Sequence, residues 1–179
     1  MNHFFSAALI CILTIPALAD DAKTNTPAAP KKSDNSSALT LPASAAIVTA
    51  PLILTNGFLC LNGDKAEVAD GGKAVFNFAV TNAGDYVIEA SVNAPGEDSN
   101  SFFLNVDDAP TDPLAIWDID PTTDFEKRIV SWRGDGSDTS DQFAPKHFKL
   151  SAGKHKLIVI GREPETELKS LTLRVAPPE

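Results

Sequence analysis

Apolar and polar residues alternate with a period of two through much of the chain beyond residue 70. The stretch Lys73 to Val80 puts Phe76, Phe78 and Val80 on one face. After the turn Asn82-Ala83-Gly84-Asp85, the next run sets Tyr86, Ile88, Ala90 and Val92 on a common side. Successive side chains of an extended backbone point to opposite faces, so this rhythm predicts strands. Short apolar runs follow at 101–106, 115–119, 128–132, 147–150, 156–161 and 168–175, with acidic, Gly- or Pro-containing turns between them. Ser151-Ala152-Gly153-Lys154 is a compact turn, and His147 and His155 are expected to flank it as a hairpin. No segment after residue 50 sustains an amphipathic helical stripe over three turns. The pattern predicts an all-β fold, an antiparallel β-sandwich of jelly-roll type.

The first residues have a different rhythm. NHFFSAALICILTIPALA is an apolar run closed by Ala17-Leu18-Ala19, the layout of a cleaved export signal over residues 1–19. The run is shorter than the roughly 20 residues that span a bilayer, so no membrane insertion is expected after cleavage. Residues 20–46 are rich in Ala, Ser, Thr, Pro and Lys and hold no aromatic residue. Such a segment buries too little apolar surface to offset its ordering entropy, and it is expected to be a disordered linker. The sandwich domain is expected over 47–179. An exported protein, periplasmic or extracellular, follows from this layout. Beyond the signal one cysteine remains, Cys60 in FLCLNG, which reads as a small buried hydrophobe.

Charge narrows the partners. The chain carries a net charge of -9, and the stretch 97–141 alone holds twelve acidic residues against three basic ones. A surface of that sign repels phosphate backbones and anionic membranes, so nucleic acid is not an expected partner. Carboxylates on loops, among them Asp107 and Asp108, Asp118, Asp120 and Asp124, and Asp135, Asp138 and Asp141, offer the oxygen ligands that calcium takes. A structural Ca2+ is therefore a candidate cofactor. Beyond the signal, zinc has only His147, His155 and the distant Cys60 to draw on. No G-x-S-x-G, H-E-x-x-H or P-loop pattern occurs, and no enzyme activity is expected.

Aromatic residues give the other candidate chemistry. A pyranose presents apolar C–H faces to a ring and hydroxyls to neighbouring amides and charges. Trp117, Trp132 and Phe102 are candidates for stacking, with Asn100, Arg133, Arg162 and Glu163 as polar partners. Phe102 and Phe103 are adjacent, so a strand would point them to opposite faces, and one of them at most is expected in the core.

The residues 84–175 also resemble a known family. GDYVIEASVNAPGEDSNSFFLNVDD, then AIWDI, VSWRG and FKLSAGKHKLIVIGREPETELKSLTL, are similar to the galactose-binding-like jelly rolls of carbohydrate-binding modules in secreted bacterial proteins. The resemblance implies a sandwich of roughly eight or nine strands, no catalysis by the module, often a structural calcium, and a sugar held by loops at one edge. It matches Asn100, Ser101 and Phe102 to the strand leading toward that edge. Trp117 and Trp132 match the family's Trp segments, and Arg162-Glu163 its Arg-Glu pair. A non-catalytic exported glycan-binding module is the leading expectation, with a polysaccharide or glycoconjugate as partner. The alternative is a structural or protein-interaction β-sandwich without a sugar ligand, in which the aromatic residues are core.

Overall fold

The computed structural model describes residues 38–134 and 143–178. The expected signal, most of the expected linker, and Asp135, Asp138 and Asp141 lie outside the described residues. The period-two runs become antiparallel strands. Those of the first half are β1 (Leu39–Pro42), β2 (Ile47–Thr49), β3 (Leu52–Thr55), β4 (Phe58–Leu61), β5 (Lys73–Val80) and β6 (Gly84–Asn93). The second half adds β7 (Ser101–Val106), β8 (Ile116–Asp118), β9 (Glu126–Ile129), β10 (Phe148–Leu150), β11 (Gly153–Gly161) and β12 (Glu167–Val175). One five-stranded sheet runs β2-β5-β11-β7-β8. The other runs β10-β6-β12-β4-β3, with β9 also pairing β6 and β1 also pairing β12. Their facing sides enclose the main core, where Phe76, Ile88, Phe102, Trp117, Leu157 and Leu171 are almost fully buried. This is an all-β, two-sheet antiparallel sandwich, with no α-helix among the described residues.

Four features depart from the sequence expectations. The sandwich begins at Leu39 rather than at residue 47, because β1 pairs with β12 from Leu39↔Leu173 to Pro42↔Ser170 and buries Leu41 and Ala43. Pro42 is tolerated because β1 closes an outer side of the sheet, where a missing N–H costs little. The second is a hairpin, LILTNGFLCL, in which β3 and β4 meet through Asn56 (φ 48°) and Gly57 (φ 86°). Two consecutive positive φ values are what the right-handed twist of a two-residue hairpin demands. Third, the turn at 151–154 is a crossover. β10 pairs with β6 in one sheet while β11 pairs with β5 and β7 in the other.

The fourth concerns Phe103, which is buried along with Phe102 although the two point to opposite sides of β7. Phe102 enters the main core. Phe103 joins Ile116 and Ile160 in a second apolar cluster, packed by Val68 and Ile158, on the outer side of the five-stranded sheet. The loop 62–72 covers this cluster. It is pinned by hydrogen bonds from the Gly161 N–H to the Gly71 carbonyl (3.2 Å) and from the Ala66 N–H to the Arg162 carbonyl (2.8 Å). A Cβ on Gly71 would fall on the Gly161 carbonyl, so the loop can lie this close only with glycine there.

His155 fastens the opposite end. Its Nδ1 lies 2.7 Å from an Asp107 carboxylate oxygen and its Nε2 lies 2.8 Å from the Ser151 carbonyl. Asp107 also accepts the Lys156 N–H at 3.0 Å. The hydrogen bond to Asp107 raises the imidazole above its ordinary 6.5 against the pull of burial. Burial pushes Asp107 up, but the bonds from His155 and Lys156 outweigh it and hold the carboxyl below 3.8.

Two predictions follow from these contacts. Gly71→Ala should lower stability by about 1–3 kcal/mol by overpacking, read as a reduced urea midpoint at unchanged m-value. The His155 contribution is complete below pH 6.5 and is lost as pH rises through the raised folded value. The Asp107 contribution is present above 3.8 and is lost as pH falls through the lowered folded value. The melting temperature should thus form a plateau between those limits, and His155→Gln should remove its alkaline decline.

Candidate functional site

The ends of several strands converge where Gly161 lies opposite Phe102, Ser101 opposite Asp118, and Glu167 opposite Asn93. Glu163 follows β11 directly and is 2% exposed. One carboxylate oxygen takes the Lys65 ammonium at 2.7 Å and the Arg162 guanidinium at 2.5 Å. The other accepts the Ser101 hydroxyl at 2.6 Å and the Asn100 N–H at 3.1 Å. Arg162 also donates to the Ser101 Oγ at 2.6 Å. Burial pushes this carboxyl up, but its bonds from Lys65, Ser101 and Asn100, helped by the charge of Arg162, hold it below the ordinary 4.5. Both oxygens are thus occupied by the protein. Glu163 organises its neighbours and has no bare face for a ligand.

A second ion pair lies alongside. Arg133 forks onto Asp118, its Nε 2.6 Å from one oxygen and its terminal nitrogen on the other. Asp118 is the cross-strand neighbour of Ser101, which brings the two pairs together. The hydrogen bonds that Arg133 donates to Asp118 raise it above its ordinary value, and the Glu163 charge adds to this. Arg162 lies over the Phe103 ring, 5.9 Å from its centroid. Lys65, Arg133 and Arg162 therefore surround two buried carboxylates. Of the three cationic side chains, Lys65 is 57% exposed and Arg133 28%.

The aromatic candidates lie elsewhere. Phe102 and Trp117 are cross-strand neighbours, fully buried, with ring centroids 6.4 Å apart. The Trp117 indole N–H is taken by the Ile129 carbonyl at 3.0 Å. Neither ring has an open face, so the expected sugar-stacking role gives way to a core role. Trp132 is half-buried and donates to the Leu104 carbonyl at 2.9 Å. Its edge meets Phe148, and the Lys146 ammonium sits 4.1 Å from its ring centroid. Of the seven residues expected to bind sugar, the fold gathers Asn100, Arg133, Arg162 and Glu163, and leaves Phe102, Trp117 and Trp132 outside that cluster.

Among the described residues no group of three or more His, Cys, Asp or Glu could hold a metal ion. Asp118 faces Arg133 and Asp107 faces His155, so these carboxylates do not converge on a shared point. No helix among the described residues is long and apolar enough to cross a membrane.

Solved structures share this architecture. A family 35 carbohydrate-binding module from Clostridium thermocellum superposes with a TM-score of 0.52 at 15% identity, covering 78% of this chain and 99% of that one. A mannan-binding module matches with a TM-score of 0.51 at 21% identity, over 78% and 99% of the two chains. The chain shares the two-sheet β-sandwich fold of these carbohydrate-binding modules. The Podospora anserina GH26-CBM35 β-(1,4)-mannanase matches as well (TM-score 0.53, 15% identity, 79% of this chain), but the chain spans only 28% of that enzyme. No family model matches the sequence, and no curated protein matches it.

The loops at this edge of the sandwich carry Glu163 together with Lys65, Asn100 and Arg162. Sequence reasoning missed Lys65 as a member of the cluster, since 98 positions separate it from Glu163. A lone lysine in a polar loop carries no local sign of such a partner. Glu163→Gln keeps the volume but strands Arg162 beside a neutral group, and should cost about 2–4 kcal/mol. Lys65→Ala removes a solvent-screened partner and should cost less than about 1 kcal/mol. Chemical denaturation of the two variants beside the unaltered chain measures both.

Proposed function

We propose that this protein is a non-catalytic glycan-binding module of an exported protein, with its ligand site at the loop edge beside Glu163. The observation that carries this reading is the convergence there of Lys65, Arg133, Arg162 and Asn100 on two buried carboxylates. Charges fixed by buried partners hold their geometry before a ligand arrives, which lowers the ordering cost of binding. Polar groups arranged this way bond the hydroxyls or ring oxygen of a saccharide. Module folds of the same architecture include one described as mannan-binding, which supports a polysaccharide or glycoconjugate as the partner class. The export layout of residues 1–19 suits a protein that meets glycans outside the cytoplasm.

A second reading has one observation in its favour. Trp117 is wholly core, and the half-buried Trp132 ring has the Lys146 ammonium over it. A structural or protein-interaction sandwich would look the same in this respect.

A glycan array probed with the exported chain from Asp20 separates the two. The glycan reading expects a cluster of hits sharing one epitope, weakened about tenfold or more by Arg133→Ala and unchanged by Trp117→Phe in folded protein. Background signal throughout, from protein shown to be folded, would favour the protein-interaction reading.

A further inference from the structure

The five-stranded sheet has a second polar end. His155 and Glu163 are eight residues apart along and just beyond β11, which separates the two sites by roughly 25 Å at the rise of an extended strand. An open groove of about 610 Å³ lies at the His155 end, lined by Asn77 and Ala79 of β5, by Lys154, His155 and Lys156 of β11, and by Asp107. Lys154 pairs across the sheet with Ala79, and Lys156 with Asn77. The two lysines therefore share the outer face, one strand repeat apart. Among the described residues, neither ammonium is held in an ion pair.

Charge in the groove is set by the histidine contacts. Both imidazole nitrogens face acceptors, a carboxylate and a backbone carbonyl, and both can be satisfied only if each carries a proton. Asp107 is the carboxylate of the groove, and its two oxygens are taken by His155 and by the Lys156 N–H. Phe78 packs on the imidazole from β5 at 5.5 Å and is uncharged. Lys154 and Lys156 flank His155 on β11, Asp108 follows Asp107 in its turn, and the Ser151 carbonyl closes the side toward β10. The groove therefore has two ammonium groups that form no salt bridge among the described residues, an imidazolium, and the carboxylates of Asp107, whose charge Lys156 also meets, and of Asp108 beside it. That is a local excess of positive charge on a chain of net charge -9.

We propose that this groove is a second ligand site, separate from the Glu163 edge and independent of the glycan reading, that binds an oxyanion carried as a sulfate ester or a carboxylate. Lys154 and Lys156 supply the charge, and the Asn77 amide supplies a neutral donor beside them. The imidazolium of His155 neutralises Asp107, which would otherwise repel the incoming anion. A cation has no place here, because the Asp107 oxygens already have donors. Long polyanions are disfavoured by the acidity of the rest of the chain.

Amide NMR of the 15N-labelled chain, titrated at constant ionic strength, tests the proposal. Three probes are used: sodium sulfate, sodium glucuronate and uncharged methyl glucoside. The expected result is saturating shifts at Asn77, Ala79, Lys154 and Lys156 with one or both oxyanions and none with the neutral sugar. Saturation by sulfate alone assigns the sulfate ester as the ligand group, and saturation by glucuronate alone assigns the carboxylate. Binding should weaken about fivefold or more from pH 5.5 to pH 9 as His155 loses its proton. The double substitution Lys154→Ala/Lys156→Ala, at two exposed positions, should abolish the shifts without altering the rest of the spectrum. Absence of saturation with both oxyanions overturns the proposal, as does equal response to the neutral sugar, persistence in the double variant, or equal affinity at the two pH values. Shifts confined to residues around Glu163 would also overturn it, while leaving the glycan site at the other end intact.

Discussion

Burying the Glu163 carboxylate obliges the surrounding chain to bring donors to both of its oxygens. An ionised group withdrawn from water is tolerated only when it is paired and hydrogen-bonded. Lys65 comes from the loop after β4, Asn100 and Ser101 from the start of β7, and Arg162 from the end of β11. One side chain thus links three stretches of chain that are far apart in sequence. Of the donors that satisfy Glu163, Lys65 is open to solvent, while Arg162 is largely covered and Ser101 is fully buried.

The loop 62–72 depends on the same end of β11 for a second reason. It covers an apolar outer surface formed by Phe103, Ile116 and Ile160, which would otherwise face water. Lys65 ties it through Glu163, while Gly71 lets the backbone approach Gly161 closely enough to hydrogen-bond. The five-stranded sheet is consequently buried on both sides near this end and left open toward Lys154 and Lys156. Stable, preorganised polar groups lie at the covered end, and solvent-exposed lysines at the open one. The two ends differ in the kind of ligand each suits because they differ in how much of the sheet is covered.

Strand identity was largely legible from the chain. The alternation at 73–80 and 86–92 names the core faces of β5 and β6 correctly, with Phe76, Phe78, Ile88 and Val92 all turned inward. The hairpin at Asn56-Gly57 also had its signal in plain view, in a pair of residues suited to consecutive positive φ. β1 was harder to see, since four residues of LTLP in an Ala- and Ser-rich stretch become a strand only by pairing with β12. Phe103 shows the limit of alternation. Period two says that it opposes Phe102, but whether its face meets water or a covering loop is a non-local matter.

The sequence by itself determined the class of fold, the faces of its long strands and the types of polar residue present at the loops. These follow from periodicity and composition, which act over a few neighbouring residues. Tertiary structure decided which candidates meet. It buried Trp117 against Phe102 across two strands. It sent β10 and β11 to different sheets despite their short connection. It joined Lys65 to Glu163 over 98 positions and Asp107 to His155 over 48. Pairings at such distances depend on sheet order and loop packing, and no local pattern of residues encodes them.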